Sequence, residues 1–208
     1  MLTKTISLIS LLLVLHMQGF AGDSIRFNGM LNGMPYIMTS EGIHFSSLPS
    51  DKKELGLILD WSTTNPEMDI YLMDDDFNYL PLEGSASQAI QEHKQAVVFE
   101  HVYANIDLIV HPPQNGSLTY EFVVYPGGDP SQIQLSSSSF VSKKKGERVF
   151  SIHNLNASQD VAGMDQQEIE INMKEANGHV NMKTASYEVA QALTISFELQ
   201  VGSMLVGK

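Results

Sequence analysis

Two acids stand at positions where carboxylates could do chemistry. Asp107 interrupts the apolar run IDLIV, and Glu121 interrupts LTYEFVV. Ile106, Leu108 and Val110 alternate onto one face of a predicted strand, and Leu118, Tyr120, Phe122 and Val124 onto one face of the next. A hairpin joining these faces pairs Leu108 with Tyr120 and sets Asp107 opposite Glu121 on the other side. Like charges so placed repel, so something must compensate. Backbone N–H groups or a lysine would make the pair structural, which is the expectation adopted here. A bound cation or a shared proton would make it functional. A glycosidase uses two carboxyls about 5–10 Å apart across the sugar.

The other candidates are plainer. Met73-Asp74-Asp75-Asp76-Phe77 clusters carboxylates of the kind calcium takes, but it lacks the DxDxDG spacing of a calcium loop. A solvated acidic turn is expected, with Asp74, Asp75 and Asp76 as the ligands to examine if calcium is bound. No other metal or cofactor is expected. Beyond the N-terminal leader described below, the histidines at 44, 93, 101, 111, 153 and 179 form no HExxH pair, and no GxSxG elbow is present. A Ser–His–Asp site assembled across the fold is not visible at this level. Tyr-Pro-Gly-Gly-Asp-Pro (125–130) lacks the spacing, the lysine and the following helix of a phosphate loop. It reads as a turn, with Pro126 and Gly127 at its centre. No catalytic residue is assigned.

The elements that must position these residues are short, alternating and punctuated by glycine. SIRFN, MPYIMT and GIHFSSL open the series, with a hairpin turn at Ser40-Glu41-Gly42. LGLILDW and EMDIYLM follow. GSASQAIQEHKQ has the one helical look in the chain and is expected to hold one short helix. AVVFEHVY, IDLIVH and SLTYEFVVY come next, the last two joined through Pro112-Pro113-Gln114-Asn115-Gly116. Ser136 to Glu147 is a polar loop and a possible subdomain boundary. RVFSIHNL, EIEINMKEANGHVNMKT and ALTISFELQVG complete the chain, with a second hairpin at Ala176-Asn177-Gly178. The fold expected is all-β and antiparallel, of β-sandwich type, as one domain over 22–208 or as two packed β subdomains divided at 136–147.

The N-terminus has a different character. Lys4, an apolar run from Ile6 to Leu15, and Gly19-Phe20-Ala21 have the layout of a secretory signal over residues 1–21. The run is shorter than the roughly 20 apolar residues a membrane helix needs. Removing the leader takes Lys+Arg from 12 to 11 against 24 Asp+Glu, and the net charge from −12 to −13. That field disfavours nucleic acid and anionic lipid. With no cysteine, an exported chain has neither disulfides nor a lipidation site, and must rely on its core. A bacterial envelope protein fits, either periplasmic or outside the cell.

Residues 98–135 then carry a family resemblance. VFEHVYANIDLIVHPPQNGSLTYEFVVYPGGDPSQIQL resembles the central motif of an uncharacterised β-rich domain near the N-terminus of bacterial secreted proteins. Those proteins are of SBBP-repeat and gliding-motility or PKD type. The matching positions are Tyr103, Ile106, Asp107, Leu108, Gly116, Tyr120, Phe122, Val123, Val124, Pro126, Gly127, Asp129, Pro130 and Ile133. Tyr-Ala-Asn-Ile-Asp stands where the family commonly has Tyr-Pro-Gly-Ile-Asp, and Glu121-Phe122 where it commonly has Asp-Phe. The resemblance implies an exported location and a β architecture. It marks Tyr103, Asp107, Tyr120, Glu121 and Asp129 as candidate binding positions. The functional expectation is a non-catalytic scaffold or adhesion-type module whose partner is an envelope or surface protein. The alternative is a carboxylate-based hydrolase or binding protein acting on polysaccharide.

Overall fold

A computed structural model describes residues 26–39, 42–45, 59–60, 68–76, 78–80, 90–92, 94–136, 150–160, 166–176 and 179–201. The predicted leader, the turn at 40–41 and residues 137–147 of the polar loop lie outside them. The strands are β1 (Arg26–Leu31), β2 (Met34–Thr39), β3 (Gly42–Phe45), β4 (Leu59–Asp60), β5 (Asp69–Met73), β6 (Tyr79–Leu80), β7 (Ile90–Glu92) and β8 (Ala96–Tyr103). They continue as β9 (Ile106–Val110), β10 (Ser117–Val124), β11 (Gln134–Ser136), β12 (Phe150–Gln159), β13 (Gln167–Ile169), β14 (Ile171–Ala176), β15 (His179–Thr184) and β16 (Leu193–Val201). A single 3-10 turn, Pro130–Gln132, precedes β11. The helix expected around residues 84–95 is corrected in part: Ile90–Glu92 pairs with β1 as a strand, and 84–89 lie outside the described residues. Weak helical propensity yields there to the hydrogen bonds offered by an open sheet edge.

The strands form three sheets. One has the order β4-β3-β2-β1-β7, the largest β13-β12-β16-β10-β9-β8-β5-β6, and the smallest β11-β15-β14. All pairs are antiparallel except β1 with β7. Alternating side chains of the first two sheets meet in one buried cluster, to which Ile133, Leu135, Val180 and Met182 of the small-sheet region also belong. Residues on both sides of 136–147 share this cluster. Tyr120 stacks on Phe197 at 5.0 Å between centroids, and Tyr36 meets Phe45 at 5.6 Å. Each such side chain, fully buried, contributes about 1.5–3 kcal/mol. In a chain without cysteine this packing takes the place of cross-links.

Turn chemistry sets the registers. Asn32-Gly33 (φ 49° and 79°) and Asn115-Gly116 (φ 50° and 79°) have both central residues left-handed, as a type I′ hairpin requires. The expected pairing of Leu108 with Tyr120 is corrected: Leu108 faces Phe122 and Val110 faces Tyr120. The Asn115-Gly116 turn is closed by the Gln114–Ser117 bridge, and His111, Pro112 and Pro113 then stand against Leu118 and Thr119 alone. Pro112 and Pro113 have no N–H for the ladder, so an extra residue is accommodated there.

Candidate functional site

Asp107 sits on the outer face of the large sheet, yet it is only 3% exposed. Its place follows from an irregularity in β8. Phe99 pairs with Leu108 and Tyr103 with Ile106, so Glu100, His101 and Val102 stand opposite Asp107 alone. His101 takes a left-handed φ of 56°, and its N–H donates to Asp107 Oδ1 at 2.7 Å. The carboxylate thus closes the bulge. Glu121 faces Ile109, and Asp107 faces Val123. The two acids share a face but stand on a diagonal, about 7–8 Å apart at the backbone. The expected direct pairing is therefore corrected: the two-residue turn at Asn115-Gly116, with one extra residue at 111–113, leaves the register two residues away from it. Glu121 makes its own contact, Oε2 to His111 Nε2 at 3.4 Å.

The remaining motif positions are dispersed. Tyr103 is buried, and its hydroxyl donates to Gln134 O at 3.4 Å, tying β8 to β11. Tyr120 is in the core between the sheets, where burial, and then the Tyr36 phenol, push its own phenol well above the usual range. Asp129 caps the 3-10 turn, accepting from Ser131 N at 2.9 Å. The hydroxyl and N–H of Ser131 hold its carboxyl below the usual range. Asp74 likewise serves its own turn. Its Oδ1 accepts from Asn78 N at 2.8 Å and Asp76 N at 3.0 Å, and bonds from Asn78 hold its carboxyl low. Asp75 and Asp76 are exposed. Among the described residues no three His, Cys, Asp or Glu side chains gather closely enough to hold a metal ion. No helix among them is long and apolar enough to cross a membrane.

Asp129 does border a groove. An open depression of about 470 Å³ is lined by Asp129, Ser131, Met182, Lys183, Tyr187 and Val189, among others. The Tyr187 phenol is pushed up by partial burial and by the Asp129 charge. One wall is the loop before β16, held by Gln159, which is 1% exposed. Its Nε2 donates to Glu188 O at 2.9 Å and lies within 3.3 and 3.4 Å of Gln191 O and Ala192 O. Its Oε1 accepts from Glu188 N at 2.9 Å.

A second polar surface was missed from the sequence. On the outer face of β12 and β16, Ser151 Oγ and His153 Nε2 are 2.7 Å apart. His153 stands opposite Glu198, and Asn154 and Leu155 then bulge against Phe197. Asn154, at φ 50°, donates from Nδ2 to Glu198 Oε1 at 2.8 Å. One pair further on, Ser196 Oγ donates to Asn156 Oδ1 at 2.9 Å. The Ser151–His153 distance suits a nucleophile and its base, but a triad needs the acid on the far imidazole nitrogen. Glu198 makes its hydrogen bond to Asn154 instead. The arrangement is a fixed lattice of donors and acceptors on an open face. The alternation of Ser151 and His153 was visible in FSIHNL; the bulge that ties Asn154 to Glu198 was not.

A family model described as "Domain of unknown function (DUF7948)" matches residues 16–200. The chain belongs to the DUF7948 family. The match takes in β1 to β15 and nearly all of β16, and with them every candidate residue described above. Neither the curated proteins nor the solved structures provide a match to this DUF7948 chain.

Proposed function

We propose that this DUF7948 chain is an exported, non-catalytic module of a bacterial envelope or cell surface, a scaffold or adhesion-type domain that binds an envelope or surface protein. The observation that carries the reading is the dispersal of the reactive side chains among the described residues. Asp107 is committed to a bulge, Asp74 to its own turn and Glu121 to His111, while Ser151, His153 and Glu198 lie on an open sheet face. Acid–base catalysis needs such groups to converge on one bond within an enclosed site. A binding module needs a rigid surface with donors and acceptors at fixed spacing, which suits the face around Ser196 and Glu198. The leader-like N-terminus and the lack of cysteine support an exported location, periplasmic or extracellular. So does the resemblance to N-terminal domains of SBBP-repeat and gliding-motility or PKD-type surface proteins.

One observation favours polysaccharide as a second reading of the ligand. The groove sets the Tyr187 ring beside the Asp129 carboxylate and the Ser131 hydroxyl, a mixture suited to a sugar's apolar face and hydroxyl edge.

In-cell crosslinking of the tagged chain in its native host, read by mass spectrometry, tests both. The expected result is one reproducible envelope protein, lost with Ser196→Arg at the centre of the polar face. Polysaccharide retained instead, and released by Tyr187→Ala, would replace the first reading by the second. Turnover of envelope polymer by the purified chain would overturn the non-catalytic assignment.

A further inference from the structure

The groove beside Tyr187 begins where β11 stops. β11 pairs with β15 from Ser136–His179 to Gln134–Asn181. The chain before β11 does not follow β15 any further. It curls into the 3-10 turn, which spends its N–H groups on itself: Ser131 N donates to Asp129 Oδ1, Gln132 N to Asp129 O and Ile133 N to Pro130 O. β15 runs on to Thr184, and Ala185 N extends its ladder to Glu170 O. Met182, Thr184 and Ser186 line the depression together with Lys183, Ala185 and Tyr187. Successive residues of a strand point to opposite faces, so a groove lined by both sets meets this stretch along its backbone edge.

The backbone groups on that edge can be assigned. Ala185 N donates to Glu170 O at 2.8 Å, and Ile171 pairs with Thr184. By antiparallel alternation the N–H and C=O of Lys183 and Ala185 face β14, and those of Thr184 face the other way, where β11 has ended. Among the described residues Thr184 has no backbone partner on that side. The space it looks onto is open, about 470 Å³, within the range of ligand sites. A backbone edge facing open space is a template for one more strand. The two ends of the groove also differ in charge. Tyr187 lies close enough to Asp129 to feel its charge, and Lys183 stands exposed four residues earlier.

We propose that this groove binds an extended peptide segment of a partner protein, antiparallel to β15 and in line with β11. One peptide residue exchanges both backbone hydrogen bonds with Thr184. The next residue toward the peptide's C-terminus then lies opposite Lys183, where an acidic side chain is complementary. The third residue toward its N-terminus lies opposite Tyr187, where a lysine or arginine meets the ring and the Asp129 carboxylate. The pattern recognised is a basic residue followed four positions later by an acidic one. A peptide suits the groove better than a sugar because it supplies an N–H and a C=O at the spacing that Thr184 presents. The site uses none of the residues of the polar face on β12 and β16, so it stands or falls apart from the first functional reading above.

The probe is a fluorescent peptide containing Lys-Val-Thr-Val-Glu, titrated with the purified chain and read by anisotropy. Saturable binding is expected. Methylating the backbone nitrogen of the second valine, the residue opposite Thr184, abolishes it. Methylating that of the threonine before it, whose N–H points away from β15, leaves it. Lys183→Glu weakens binding about fivefold, and a peptide with lysine in place of the glutamate regains it. Bound peptide slows hydrogen exchange at the Thr184 N–H. No binding, equal loss from the two methylations, or exchange at Thr184 unchanged by bound peptide would overturn the proposal. Envelope polysaccharide held at Tyr187 and not displaced by the peptide would overturn it too, and would give the groove to the sugar reading.

Discussion

The carboxylate of Asp107 accepts a hydrogen bond from the backbone N–H of His101 at 2.7 Å, and that contact closes the bulge in β8. His101 is held at a left-handed φ, a conformation that non-glycine residues persist in only when their surroundings enforce it. A charge-assisted bond of this kind contributes about 1.5–3 kcal/mol. Asp107→Ala is therefore expected to lower the unfolding free energy by that much, read as a lower urea midpoint with the slope unchanged. Asp107→Asn keeps an acceptor oxygen and loses less. Equal losses for the two variants would show that the bulge stands without the carboxylate.

Gly33 and Gly116 occupy equivalent places in two type I′ turns, both at φ 79°. An alanine in the left-handed region costs about 1–2 kcal/mol at either position. Their surroundings differ. A Cβ at Gly33 meets nothing within 4 Å, whereas one at Gly116 collides with the Asn32 amide, whose Nδ2 donates to Gly116 O at 3.1 Å. Gly33→Ala should show the conformational cost alone. Gly116→Ala should exceed it, because Asn32 must be displaced. Thermal melts of the two variants compare them directly, and equal midpoints would refute a working contact between the turns.

Gln159 holds the loop forming the far wall of the Tyr187 groove, through bonds to Glu188 and contacts with Gln191 O and Ala192 O. Gln159→Ala leaves those backbone groups without their buried partner and is expected to cost about 1–3 kcal/mol. Gln159→Glu keeps an acceptor for Glu188 N but loses the donor. Hydrogen exchange should quicken at Glu188 in the alanine variant, while the amides of β10 and β16 stay protected. Unchanged exchange at Glu188 would remove Gln159 from that role.

How much of this was legible beforehand differs by element. The alternation through Leu118, Tyr120, Phe122 and Val124 showed the buried face of β10, because in a strand period and burial coincide. Asn115-Gly116 showed the hairpin, since its left-handed angles suit few other residue pairs. The register beyond it was not legible, because Pro112-Pro113 absorbs an extra residue with no mark in the pattern. The β8 bulge was hidden too: AVVFEHVY reads as one unbroken strand, and Glu100 to Val102 separate only when Asp107 arrives from β9. Pairing of β1 with β7 is non-local and parallel, beyond what neighbouring residues report. The Glu198–Asn154 bond spans 44 positions and depends on a second such bulge.

The phenol of Tyr120 is fully buried, and its hydroxyl has no hydrogen-bond partner among the described residues. Leaving a buried polar group unsatisfied costs about 1–3 kcal/mol, so Tyr120→Phe should match or exceed the parent's stability at pH 7 while the stack on Phe197 is kept. Alkali separates this from a mere packing effect. Burial raises the phenols of both Tyr36 and Tyr120, whereas in the unfolded chain they titrate near 10. The folded protein then retains protons that the unfolded chain releases, so stability is level below about pH 10 and falls above it. Tyr120→Phe removes one of the two groups and should flatten that fall, as urea midpoints at pH 7 and at alkaline pH would show. A Phe variant clearly weaker at pH 7, with the parent's slope in alkali, would mean that the hydroxyl is satisfied and titrates freely.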